Sequence, residues 1–332
     1  TCLLCGENVV LKTSKQKGYL EPEQYQIYHC PHCNTAFSVP RVEDSSEVYN
    51  LIYKNAENLD GYGDYLQLSK NIKNVPDPLR YLTCNDRNSL TYWSIVYALK
   101  RIVKAKRSSI IFEVGSGLGY LTYALRKSGY SITGLDISET AVKEANLYFG
   151  NYYISGDINE YANKHESSAD VIILTEVIEH VNEPMKMMSS LKKMLRKGGS
   201  IILTTPNKSF YPMDSIWETD LPPVHCWWFG EESMAYMAKK LDMKLELLDY
   251  SNSYAVNMSP PKYAGAKESY HIFDANGNVI KEKTPIRHFG ILPQWFKKSQ
   301  FYRIMSTNLY PFINLFLPKY KRVIALCAVF TK

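Results

Sequence analysis

From residue 88 onward the apolar positions alternate between two periods. SIIFEVG (109–115), SITGLDIS (131–138), YYISGD (152–157), ADVIILTEV (169–177) and SIILTTPN (200–207) are short runs dominated by Ile, Val, Leu and aromatic residues. Runs of this kind suit strands covered on both faces. Between them, SLTYWSIVYALKRIVKA (89–105), YLTYALRKSG (120–129), SETAVKEANLYFG (138–150) and EPMKMMSSLKKMLRKGG (183–199) repeat apolar residues at helical spacing. Ser138 is placed to cap the third of these, and glycines stand where the second and fourth should stop. Alternating strand and helix predict a parallel, doubly wound α/β sheet.

A glycine-rich loop, EVGSGLG (113–119), joins the first of these strands to the helix after it. Gly115, Gly117 and Gly119 let backbone approach a ligand closely, and Asp136 at the end of the second strand can hold ribose hydroxyls. Those features alone fit a dinucleotide enzyme equally well. Glu113 weighs against one, because a carboxylate at the strand end is a poor neighbour for a pyrophosphate and a better one for a cationic ligand. Asp157, closing the third strand, can accept the exocyclic amine of adenine. TEVIEHV (175–181) then follows the fourth strand, and LRKGGSIILTTPN leads into the fifth.

With these pieces in this order, residues of about 108–207 resemble class I S-adenosylmethionine-dependent methyltransferases. The resemblance implies a Rossmann-like, seven-stranded, mostly parallel sheet, with KLELLDYS (244–251) as sixth strand and KRVIALCAVFTK (321–332) as an antiparallel seventh. It implies that Glu113, Gly115, Gly117 and Gly119 surround the methionine moiety of S-adenosyl-L-methionine, and that Asp136 with Ile137 meets the ribose. Asp157 with Ile158 would flank adenine, and Thr175 and Glu176 would line the same cleft. About 70 residues intervene between the last two strands where relatives often have a hairpin. This insertion, about 253–320, is expected to shape the acceptor pocket.

The first fifty residues carry a separate signal. Cys2 and Cys5 form one CxxC, Cys30 and Cys33 a second. Two such turns facing each other complete a tetrahedron of thiolates around zinc, with no open position, so the metal would be structural. The chain therefore divides into a zinc ribbon (1–42), a Tyr-rich connector or lid (43–87) and the methyltransferase domain (88–332). His29 and His32 read as surface residues, and Cys84, Cys226 and Cys327 as isolated buried thiols.

Composition narrows the setting. The 332 residues are 45% hydrophobic, enough for a full core, and carry a formal net charge of +6. That charge falls short of a nucleic-acid footprint. No run of 18 or more apolar residues appears, so no membrane-spanning helix is expected. TCLLCGENVV lacks the regions of a signal peptide, and the cysteine spacing points to metal in a reducing cytoplasm. The 26 tyrosines suit sugar, base or interface contacts as well as ordinary packing. From Pro285 to Lys321, Arg287, Lys297, Lys298, Arg303, Lys319 and Lys321 mix with Trp, Phe and Tyr. That stretch could face an anionic pyrophosphate, a nucleic acid or a membrane surface, with a dimer interface or plain packing as the alternative.

Methyl transfer to oxygen needs alignment and proton removal, for which a histidine is suited. His225, in DLPPVHCWWFGEES, is the first candidate base, and His180, in EVIEHV, the second. The leading reading is a methyltransferase acting on a small-molecule or sugar-containing acceptor, with O-methylation favoured. By family analogy the layout looks like enzymes of polysaccharide and nucleotide-sugar modification. C-methylation of a nucleotide keto-sugar is compatible too. Two other readings are a zinc-ribbon rRNA methyltransferase and a non-enzymatic scaffold with a vestigial cofactor fold. The absence of an NPPY-like tetrapeptide after the fourth strand weighs against the former, and the intact Glu113, Asp136 and Asp157 against the latter.

Overall fold

The structure, a computed structural model, describes residues 1–42, 45–59, 62–84, 89–210, 221–250, 253, 271–280 and 323–332. An antiparallel sheet opens the chain with β1 (Val10–Lys17), β2 (Gln24–Cys30) and β3 (Thr35–Val39). Three helices follow, α1 (Ser46–Lys54), α2 (Tyr62–Asn71) and α3 (Pro78–Cys84). Then α4 (Ser89–Tyr97) runs into one wider, π-helical turn over Ala98–Ile102.

The alternation beyond is the expected one. Strand β4 (Ile110–Val114) leads to α5 (Tyr120–Lys127), and β5 (Ser131–Asp136) to α6 (Glu139–Phe149). Ser138 does cap α6, its Oγ accepting from the Ala141 N–H at 3.2 Å. Next come β6 (Tyr153–Ser155), α7 (Ile158–Lys164), β7 (Ala169–Thr175), α8 (Pro184–Met194) and β8 (Leu195–Pro206). Finally β9 (Trp227–Trp228), α9 (Glu231–Lys240), β10 (Lys244–Leu247) and β11 (Ala325–Thr331) complete the described elements.

Seven strands form one mixed sheet in the order β10-β11-β8-β7-β4-β5-β6. Only β11 is antiparallel, pairing β10 on one side and β8 on the other. The strand order reverses between β4 and β7, and ligands of open α/β sheets bind outside the carboxyl ends at such a point. The period-2 alternation inside the apolar strands feeds two cores. Phe112, Val114, Ile172 and Leu174 face α8 and α9, while Ile111, Val171 and Ile173 face α4 and α5.

Three local readings need correction. Gly198 and Gly199 do not close the α8 helix. That helix stops at Met194, and the glycines sit inside β8, where Gly198 takes φ +78°. Lys332 pairs with both, accepting from the Gly198 N–H and donating to the Gly199 carbonyl, each at 2.9 Å. His29 is buried, because β2 is the central strand between β1 and β3, and Cys84 is exposed at the end of α3. Helix α7, seven residues capped by Asp157, is too short to show a helical period in sequence.

The N-terminal sheet is not a detached module. Its fourth strand is β9, contributed by the segment after β8, with Ala36 opposite Trp228 and Phe37 opposite Trp227. Cys30, Cys33 and Phe37 share one core with β4, β7 and β8. Thr35 Oγ1 lies 2.8 Å from Ser233 Oγ, which itself donates to the Cys33 carbonyl at 2.9 Å. Of the insertion expected at 253–320, only Ser253 and residues 271–280 are described, so the basic and aromatic stretch from Pro285 to Lys321 lies outside them. Among the described residues no helix is long and apolar enough to cross a membrane.

Candidate active site

The glycine loop leaves β4 and turns back over it. Gly115, Gly117 and Gly119 all take positive φ, at +74°, +46° and +80°. Their surroundings differ. A Cβ on Gly115 would fall 2.5 Å from Val177 Cγ2, and one on Gly119 would meet the Tyr153 ring at 2.8 Å. Gly117 alone of the three faces open space, so it is the position where backbone is presented to a ligand. The Gly117 N–H donates to Asp136 Oδ2 at 2.7 Å, and the Ser138 N–H to Asp136 Oδ1 at 2.9 Å. These two bonds fix the Asp136 carboxylate at the carboxyl end of β5 while leaving it further lone pairs. Ile137, next to it, is 75% exposed.

Glu113 is 3% exposed and accepts from Thr122 Oγ1 at 2.6 Å. Burial raises its carboxyl to about 8, against the pull of the Thr122 bond, so the unliganded carboxyl is largely protonated at neutral pH. Asp157 Oδ1 accepts from the Asn159 and Glu160 N–H groups at 2.8 and 3.1 Å, with the buried Ile158 behind it. Two hydroxyl oxygens of the cleft, Ser116 Oγ and Thr175 Oγ1, are buried without a hydrogen-bond partner. Glu176 follows at φ +52°, a turn that carries the chain away from β7 directly beside the glycine loop. The open face at Gly117, the anchored Asp136 and the unsatisfied Thr175 hydroxyl fit a nucleoside-bearing ligand with a cationic end.

The two histidine candidates meet. The His180 and His225 rings pack edge to face with centroids 4.5 Å apart. His180 Nδ1 donates to the Val224 carbonyl at 2.8 Å, which leaves the lone pair on Nε2. Burial holds His180 below the ordinary histidine range. Burial and the adjacent His180 hold His225 well below it. Both rings are neutral at physiological pH. The sequence pattern did not single out the third member of the group, Glu179, which precedes His180 and lies 1% exposed. Its Oε2 accepts from Thr205 Oγ1 at 3.0 Å, and its carbonyl accepts from the Cys226 and Trp227 N–H groups at 2.9 and 3.2 Å. A carboxylate beside a cleft histidine was the available signal.

Tyrosines of α1 and α2 close in from above. The Tyr49 hydroxyl lies 3.3 Å from His180 Nδ1. Tyr53 is 55% exposed, and the phenol of Tyr65 is raised well above its ordinary value, chiefly by burial. Tyr120, the residue after Gly119, lies 2.5 Å from Tyr92, hydroxyl to hydroxyl. On the ribbon side, Arg41 sits over the Trp227 ring at 4.1 Å, and Trp227 Nε1 donates to the Val181 carbonyl at 2.8 Å. The segment bearing His225 is thus pinned from both directions.

The four N-terminal cysteines converge, with every sulfur within 4.8 Å of the others. Cys2 and Cys33 stand 3.7 Å apart and Cys5 and Cys30 3.5 Å. A tetrahedron with metal–sulfur bonds of about 2.3 Å has edges of about 3.8 Å. The cluster fits a tetrathiolate metal site.

This strand order, with a glycine loop and ordered carboxylates at the switch point, defines a Rossmann-like methyltransferase fold. Residues 94–248 match the family described as "Methyltransferase domain". Residues 94–248 thus carry a methyltransferase domain. Among curated proteins it is similar to the ubiquinone biosynthesis O-methyltransferase of Aromatoleum aromaticum, 28% identical over 105 residues (30% of this chain, 45% of that protein). The enzyme of the same name from Thiobacillus denitrificans is 30% identical over 107 residues (30% and 45%). The chain thus spans under half the length of these relatives. Among solved structures, a SAM-dependent methyltransferase from Archaeoglobus fulgidus aligns at TM-score 0.42 and 14% identity, covering 72% of this chain and 93% of that one.

Proposed function

We propose that the protein transfers a methyl group from S-adenosylmethionine to an oxygen of a small-molecule or sugar-containing acceptor. The observation that carries this is the latch between the Gly117 N–H and Asp136, which holds a ligand-facing loop beside a ribose-binding carboxylate. Bound there, S-adenosylmethionine supplies an electrophilic methyl group on a sulfonium. Glu113 meets the cationic amino-acid end, Asp136 and Ile137 the ribose, Asp157 and Ile158 the adenine. Thr175 and Glu176 line the floor between them.

The acceptor enters between the cradle and the Glu179–His180–His225 group, under Tyr49, Tyr53 and Tyr65. Tyrosines at that mouth exclude water and offer flat faces with polar tips, which suits a sugar or another ring. Similarity to proteins named O-methyltransferases supports an oxygen acceptor over carbon. The net charge of +6 supports a small molecule over RNA. We further propose that Cys2, Cys5, Cys30 and Cys33 hold structural zinc, which would fix β2 and β3 and, through β9, the segment carrying His225.

Two measurements test the reading. Calorimetry should show S-adenosylhomocysteine binding, lost in Asp136→Ala. Labelled methyl should pass from S-adenosylmethionine to members of a nucleotide-sugar and lipid-linked oligosaccharide panel. Binding of NADH in place of S-adenosylhomocysteine, or of neither, would overturn it.

A further inference from the structure

At the amino end of the sheet, away from the glycine loop, the segment before β4 and the last turn of α5 border a cavity of about 390 Å³. Arg107, Arg126 and Lys127 line it together with Tyr123, Tyr130 and Tyr152. We propose that this cavity binds a diphosphate-bearing small molecule at a site separate from that of methyl transfer. The proposal goes beyond the methyltransferase reading and stands without it.

Strand β5 sets the separation. Ser131, which also lines the cavity, and Asp136 of the cradle are its two ends, about 16 Å apart at the usual rise per residue. The volume suits a small ligand, since such pockets start at about 300 Å³.

Each cation stands on a tyrosine. Arg107 lies over the Tyr130 ring at 4.1 Å, Arg126 over Tyr152 at 4.8 Å and Lys127 over Tyr123 at 5.7 Å. Tyr123 and Tyr130 are buried, so the backing is fixed. The Ser131 N–H donates to the Arg107 carbonyl at 3.3 Å, which ties the loop to β5. Arg126 Nε donates to the Ile132 carbonyl, leaving the terminal N–H groups of that guanidinium for a ligand.

Three cations around one cavity repel one another. Among the described residues, no carboxylate forms an ion pair with any of them. The acids at this end of the sheet are engaged elsewhere, Asp170 with Arg196 at 3.1 Å and Glu166 with Lys193 at 2.8 Å. The carbonyl end of α5 accounts for cations in its last turn, but Arg107 comes from a different segment. An anion offsets the repulsion. Each ring already carries a cation, so the chemistry recognised is charge more than stacking. Guanidinium forks match phosphate oxygens in pairs, and Lys127 adds a point charge. One phosphoryl group suits two forks, and the third cation calls for a second group.

The probe is inorganic pyrophosphate, titrated calorimetrically into the full chain with S-adenosylhomocysteine present. About one equivalent should bind, more tightly than inorganic phosphate. Arg107→Gln and Lys127→Gln should each weaken it about 10-fold, the loss of one charge-assisted hydrogen bond. Both variants should keep the wild-type melting temperature, which checks the fold. Lys164→Gln removes an exposed cation from α7 and should leave pyrophosphate affinity unchanged. No binding by the wild type overturns the proposal. So does equal affinity in the two cavity variants, or an equal loss in Lys164→Gln, which would show diffuse charge without a site. Single-stranded RNA and vesicles containing phosphatidylglycerol are the competing occupants. If either binds through Arg107 and Lys127 while pyrophosphate does not, the face serves a macromolecule or a membrane and the small-ligand site is refuted.

Discussion

Replacing Glu113 by Gln gives a measurement with a sign fixed by the structure. The Glu113 carboxyl is raised from the ordinary glutamate range to about 8 by burial at the end of β4. Between about pH 4.5 and 8 the native state therefore holds a proton that the unfolded chain has lost. A raised carboxylate pKa makes stability fall as pH rises through this window, by about 1.4 kcal/mol per pH unit and on the order of 5 kcal/mol across all of it. The Glu113→Gln variant keeps an acceptor for Thr122 but has nothing to titrate. Urea unfolding of both unliganded proteins from pH 5 to 8.5 should show the wild type losing stability relative to the variant. Parallel curves would refute the burial argument. The same group reports on the ligand. At pH 6.5 the unliganded carboxyl is almost fully protonated, so a cationic group held against it should expel about one proton. Calorimetry of S-adenosylhomocysteine in two buffers of different ionisation enthalpy counts that proton. No release would remove Glu113 from the cationic end of the site.

Gly117→Ala places a side chain at φ +46° in the ligand's space. It should cost about 1 kcal/mol of stability but weaken S-adenosylhomocysteine binding at least about 10-fold, and unchanged affinity would place the ligand elsewhere. Gly134→Ala should do the reverse, losing about 1–3 kcal/mol of stability, because its Cβ would lie 2.5 Å from Tyr153 Cδ1 and 2.8 Å from Ser116 Oγ. Arg41→Ala removes the cation over Trp227 and loosens the His225 segment. Turnover should fall with S-adenosylhomocysteine affinity intact, and equal loss of both would argue against the role of that contact. Stripping metal from the cysteine cluster should lower the melting temperature. A cluster that releases no metal to a strong chelator, as read by elemental analysis, would refute the tetrathiolate site.

Much of the cofactor half was legible in the chain itself. The strands β4, β5, β7 and β8 are continuous apolar runs, and Glu113, Asp136 and Thr175 stand at the carboxyl ends of the first three. A residue at a strand end is placed by the local pattern alone, because the apolar run itself marks where the strand stops. The capping Ser138 was readable for the same reason, since its hydrogen bond reaches only to Ala141. The acceptor half was less legible. Glu179 reads as a turn residue until His225, 46 positions later, is brought beside it. Tyr49 and Tyr65 are ordinary helix residues until α1 and α2 lie against the cleft. The pairing of β3 with β9 joins Phe37 to Trp227 across most of the chain, and two residues of strand carry no periodicity to announce it.

Sequence alone determined the alternating architecture, the glycine loop with its carboxylates and the paired CxxC turns, because each depends on interactions within a few residues. Tertiary structure decided the rest. It showed that Gly117, and neither Gly115 nor Gly119, opens to the ligand. It tied the N-terminal sheet into the core through Trp227 and Trp228. It gathered Glu179, His180 and His225 into one cluster. Those outcomes hinge on which distant surfaces exclude water against each other, and burial sets the protonation of Glu113 and the histidines. Neither distance nor burial is a property of neighbouring residues in the chain.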